Sequence, residues 1–175
     1  MIISWNTTNA CNMYCKHCYR DAGIKADQEL STEEGLTLID QIAEARFKIM
    51  IFSGGEPLLR DDIYTLVNRA RERGMRPVFG TNGTLITGAV AGRLKEAGAV
   101  AMGISLDSVD PVSHDTFRAT TGAWQGAVDG MRACREAGLP FQIHTTVLDW
   151  NMAEVEKLAD FAVQAGAVGH HIFFL

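Results

Sequence analysis

The sequence predicts an α/β fold, a partial (β/α)6 barrel of parallel strands with outer helices. Three observations carry that prediction. Short apolar runs rich in β-branched and aromatic residues alternate with longer amphipathic stretches along the whole chain. Short loops join these units, which implies parallel strands and right-handed crossovers. The cysteine-rich and glycine-rich segments all follow strands, where parallel α/β folds place their sites. An open doubly wound sheet accommodates the same six strands and five helices. Ser4, Asn6 and Thr8 on one face of the first strand favour the barrel, since they make its inner surface polar near the top. An edge strand would show the same alternation.

The strands are expected at 2–8, 48–53, 76–80, 100–107, 141–148 and 169–175. The helices are expected at 32–46, 61–73, 87–97, 125–137 and 152–165. Ser31 followed by Glu34 makes a capping box for the first helix. Four helices run into glycine, at Gly74, Gly98, Gly138 and Gly166, the residue suited to a left-handed turn. In the last helix Val155, Leu158, Ala159, Ala162 and Val163 recur at helical spacing. The chain runs to Phe173-Phe174-Leu175 on a strand with no helix after it. The expectation is one domain, 1–175, whose final helix and C-terminal region lie beyond this sequence.

Composition narrows the function classes. With 47% hydrophobic and 21% charged residues, a packed core is expected and disorder is not. A net charge of −5, from 16 basic and 21 acidic residues, disfavours nucleic acid as the main partner. No apolar run reaches the roughly 18 residues of a spanning helix. The N-terminus lacks the basic region of a secretion signal. A cytoplasmic protein without membrane contact is expected.

Of the 4 cysteines, three stand in Cys11-Asn12-Met13-Tyr14-Cys15-Lys16-His17-Cys18, a C-x-x-x-C-x-x-C loop directly after the first strand. Three thiolates in one short loop can hold three corners of an iron–sulfur cube. The fourth iron is then open, which is where chemistry occurs. A zinc knot of three cysteines with His17 is the competing reading, and it would make the protein a non-catalytic scaffold. Structural zinc, however, prefers separated C-x2-C pairs. Cys134, in a predicted helix, reads as a small buried hydrophobe. His17 reads as packing, and His170 and His171 on one strand point to opposite faces. Asn151 reads as a helix cap.

Gly54-Gly55-Glu56-Pro57 follows the second strand. Together with the cysteine loop it makes the chain resemble the radical S-adenosylmethionine (SAM) superfamily over its whole length. That resemblance implies a partial (β/α)6 barrel, a [4Fe–4S] cluster on Cys11, Cys15 and Cys18, and SAM chelating the open iron. Reductive cleavage of SAM would then give methionine and a 5′-deoxyadenosyl radical, which takes a hydrogen atom from the substrate. The glycines would admit the ligand to the backbone. The Glu56 carboxylate would suit the SAM ammonium. Thr81 and Asn82 lie where cosubstrate contacts belong. Ser105 and Asp107, alternating at the end of the fourth strand, would meet its ribose and methionine portions. His114-Asp115-Thr116-Phe117-Arg118 is similar to the family's H-D-x-F-R segment, in which Arg118 could hold the SAM carboxylate through two hydrogen bonds.

The flanking residues 5–9 and 19–23 look like the branch that modifies haem precursors in the siroheme-dependent route and in nitrite-reductase haem synthesis. Its reactions remove carboxylate or acetate groups from an iron-tetrapyrrole. That branch shades into peptide maturases, and both carry a SPASM-type cysteine-rich C-terminal region. An electron donor such as ferredoxin or flavodoxin is implied.

Overall fold

A computed structural model describes residues 1–174. The elements run β1 (Ile2–Thr8), α1 (Thr32–Glu44), β2 (Ile49–Gly54), α2 (Ile63–Glu72), β3 (Arg76–Thr81), α3 (Gly88–Ala97), β4 (Ala101–Ser105), α4 (Pro111–Phe117), α5 (Ala123–Ala137), β5 (Phe141–Val147), α6 (Val155–Ala165) and β6 (His170–Phe174). The six strands form one parallel sheet in sequence order, β1 to β6. A doubly wound sheet reverses its strand order at a switch point. This order never reverses, so successive right-handed crossovers place the helices on one face and leave the other as a concave interior. Leu175, the last residue of the expected sixth strand, lies outside the described residues.

The two faces follow from alternation. Met50 and Phe52 of β2, Phe79 of β3, Met102 and Ile104 of β4, and Phe141 and Ile143 of β5 are buried against the helices. They meet Ile39 and Ile42 of α1, Leu66 of α2, Leu94 of α3, Met131 of α5 and Leu158 of α6. Phe52 and Phe79 are register partners whose rings stack at 5.5 Å. Each such fully buried aromatic contributes about 2–3 kcal/mol. The residues between them, Ile51, Ser53, Gly80 and Gly103, face the interior.

The expected boundaries are close at most elements. Ser31 accepts from the Glu34 amide and Glu34 accepts from the Ser31 amide, completing the capping box. Gly74, Gly98, Gly138 and Gly166 all take positive φ after their helices. Two departures matter for the site. The fourth strand stops at Ser105, so Ser105 and Asp107 do not share a face as continued alternation would require. Residues 111–117, expected as loop, form α4, started by Pro111 and capped by Asp110, whose side chain accepts from the Ser113 amide at 2.7 Å.

Candidate functional site

A cavity of about 400 Å³ opens at the C-terminal ends of the strands, and every strand contributes to its wall. Cys11, Cys15 and Cys18 all line it. The loop carrying them is fixed at its root, where the Cys11 amide donates to the Gly23 carbonyl at 3.0 Å and the Gly23 amide to Asn9 at 2.9 Å. Glu29 gathers the same root, accepting from the Asn9 amide at 2.7 Å and the Thr8 hydroxyl at 2.9 Å. Farther out, Asn12 is tied to Asn82 and Thr84.

Burial pushes the Cys11 and Cys15 thiols up, and the Arg118 guanidinium beside Cys15 opposes that rise. Among the described residues, no group of three or more His, Cys, Asp or Glu side chains converges as for a single bound ion. Nor, among the described residues, does any carboxylate line the cavity. Three soft donors around one space fit an iron–sulfur cluster, in which each thiolate bonds a different iron. His17 lies flat on Phe117, ring centroids 3.9 Å apart, as a packing residue would. Cys134 is fully buried in the core and pushed up to about 12 by that burial, so it is inert.

The glycine pair serves the loop before any ligand. The Gly55 amide donates to the Thr8 carbonyl at 2.8 Å, and the Glu56 amide to Ala10 at 2.7 Å. A Cβ on Gly54 would strike the Thr8 carbonyl and one on Gly55 the Ala10 carbonyl, and Gly54 has φ of +135°. The close approach expected toward a ligand is made toward the root of the cysteine loop. Both glycines still border the cavity.

Glu56 stands apart from its expected role. Its carboxylate is fully buried and is not part of the cavity wall. It accepts from the Thr81 hydroxyl at 2.8 Å, the Asn82 amide at 2.9 Å and the Leu58 amide at 3.2 Å. Burial pushes it up to about 7 against those three donors. Glu56 therefore braces β3 to the turn that Pro57 begins, and it holds Thr81 and Asn82, which do line the cavity.

Ser105 faces the cavity and Asp107 does not. Asp107 is fully buried, its Oδ1 accepting from the Thr146 amide at 2.9 Å. Arg118 directs two nitrogens at Asp107 Oδ2, at 2.7 and 2.6 Å, where two hydrogen bonds to a ligand carboxylate were expected. Its third, Nη1, reaches the cavity and lies 4.0 Å from Cys15 Sγ. The rest of the His114–Arg118 segment is structural. The buried His114 Nδ1 accepts from the Asp107 amide at 3.1 Å, and Asp115 accepts from the Gly122 and Trp124 amides at the start of α5. Asn151 makes no side-chain cap. It is buried, donates to the Asp107 and Thr146 carbonyls and accepts from the Leu148 amide.

Sequence reasoning missed His144, Thr146 and Phe173, which complete the wall on β5 and β6. The alternation of Gln142, His144 and Thr146 with buried Phe141, Ile143 and Thr145 was the available signal.

The family model for the radical SAM superfamily matches residues 5–162. The AdoMet-dependent heme synthase of Methanosarcina barkeri is 39% identical over 176 residues, covering 99% of this chain and 50% of that protein. The Fe-coproporphyrin III synthase of the same organism is 41% identical over 160 residues, covering 91% of this chain and 40% of that one. The structure of Streptococcus suis SuiB bound to S-adenosylmethionine superposes with a TM-score of 0.81 at 17% identity, over 99% of this chain and 40% of that one. The chain spans about half the length of the curated relatives it matches.

Proposed function

The chain belongs to the radical SAM superfamily, an enzyme family that uses a [4Fe–4S] cluster and SAM, and we propose that it is the SAM-cleaving core of an enzyme that removes a side-chain carboxylate or acetate group from an iron-tetrapyrrole. The observation that carries this reading is the likeness of nearly the whole chain to proteins named as heme and Fe-coproporphyrin III synthases. Held by Cys11, Cys15 and Cys18, a cluster would supply the electron for reductive cleavage of SAM.

The protein's own part is positional. Cys11, Cys15 and Cys18 hold the cluster on the wall of the cavity. Gly54, Gly55, Thr81, Asn82 and Ser105 form the adjoining wall for SAM. Asp107 fixes Arg118, whose Nη1 points at Cys15 Sγ and places positive charge beside it. An external one-electron carrier of the ferredoxin or flavodoxin type would supply the reducing electron. No helix among the described residues is long and apolar enough to cross a membrane.

The test supplies cluster-loaded protein with SAM, a reductant and iron-coproporphyrin III under anaerobic conditions. Loss of carboxyl mass from the tetrapyrrole, matched by 5′-deoxyadenosine, supports the reading. SAM cleavage that leaves the tetrapyrrole intact would overturn it.

A further inference from the structure

The mechanism so far leaves His144 unused. It sits on β5, in register with Ser105 of β4 and His171 of β6. Its side chain lines the same cavity as the three cysteines, from the fifth strand where they follow the first. Its ring stacks on His171 with centroids 5.2 Å apart and planes 10° apart, and it meets Phe173 edge-on at 5.4 Å.

On its other side the ring covers Gly103. The three atoms nearest to a Cβ built on Gly103 all belong to the His144 imidazole, and they lie too close for any side chain there. Gly103 has no positive φ that would demand glycine. Its missing side chain is thus explained by the space the imidazole takes. Among the described residues the side chain has no close polar partner: the nearest, Gln142 Oε1, is 3.5 Å from Nε2, at the outer limit of a hydrogen bond. Burial, with His171 and His170 nearby, pushes His144 down to about 4, so near neutral pH the ring is uncharged and keeps a lone pair.

We propose that His144 is a substrate-binding residue whose imidazole ligates the iron of an iron-tetrapyrrole, with His171 and Gly103 fixing the plane of its ring. This rests on the tetrapyrrole reading above. A neutral imidazole is the commonest side-chain metal ligand, and haem iron is among the metals it holds. A cavity that carries it opposite the cluster would set the position of the macrocycle and leave its side chains to be presented to the SAM site.

The test titrates iron(III)-coproporphyrin III and metal-free coproporphyrin III into the cluster-loaded protein, followed by tryptophan quenching and electron paramagnetic resonance. The oxidised cluster is diamagnetic and does not interfere. The expected result is an axial high-spin ferric signal of an imidazole-ligated iron that His144→Ala alters, with affinity for the iron form weakened about tenfold or more and metal-free binding unchanged. Gly103→Ala should also lower the imidazole-ligated fraction by displacing the ring. His144→Asn serves should the alanine variant fail to fold. Unchanged ferric signal and affinity in the His144 variant would overturn the proposal while leaving the tetrapyrrole reading standing. Failure of the unaltered protein to bind either porphyrin would overturn both.

Discussion

The β1–β3 half of the cavity and the β4–β6 half are built from different materials. On the first side position is set by close backbone approach, braced by the carboxylates of Glu29 and Glu56. Gly54 and Gly55 lie against Thr8 and Ala10, and the buried Glu56 holds the end of β3. On the second side position is set by paired side chains, Asp107 with Arg118 and His144 with His171. The two meet where Arg118 approaches Cys15. The difference teaches that the root of the cysteine loop is held by close packing, where Gly54 and Gly55 admit no added atom, whereas the Arg118 and His144 side is set by charge and ring contacts that can be changed one at a time.

The largest effect expected on the first side is loss of the cofactor itself. Cys15→Ala should reduce iron from about four per chain to below about one, measured on anaerobically reconstituted protein. Its circular dichroism should stay native, because Cys15 is no part of the hydrophobic core. A fully unfolded variant would break the separation of loop from core. On the second side, Arg118→Ala leaves Asp107 buried without its ion pair and should cost about 3–5 kcal/mol in urea unfolding. Adding Asp107→Asn to that variant should recover part of the loss.

Glycine substitutions sharpen the comparison. Gly55→Ala drives a Cβ into the Ala10 carbonyl and should cost about 1–3 kcal/mol together with cluster yield. Gly92→Ala, in α3 with nothing within 4 Å, should stabilise by up to about 1 kcal/mol. Equal effects at the two positions would remove the argument from packing.

The smallest expected effect is a slope. Burial lifts Glu56 from an ordinary 4.5 to about 7, so the folded state binds that proton more tightly than the unfolded one. The resulting stability is complete below pH 4.5 and is lost as pH rises through about 7. The melting temperature of the cluster-free protein should therefore fall less across that window in Glu56→Gln than in the unaltered chain.

Much of this was legible in the sequence. The strand and helix pattern, the glycine stops and the Ser31 capping box depend on local residues, and local residues reveal them. The cysteine loop and the Gly54–Pro57 turn are short, contiguous motifs. What sequence could not show was direction. Glu56 and Arg118 were expected to face a ligand, and each is turned by partners that only the fold brings near: Thr81 and Asn82 for one, Asp107 for the other. The short helix over 111–117 was missed because its seven residues carry little apolar periodicity. His144 was missed because its environment is made by Gly103 and His171, on neighbouring strands.

The central claim is that Cys11, Cys15 and Cys18 hold a cluster with one iron open to SAM. The most direct measurement is electron paramagnetic resonance of the reduced, reconstituted protein, with and without SAM, alongside an assay for 5′-deoxyadenosine. A cubane signal that changes when SAM is added, with 5′-deoxyadenosine formed, is the predicted result. A stoichiometric zinc ion without iron, or a cluster whose signal ignores SAM, would contradict it.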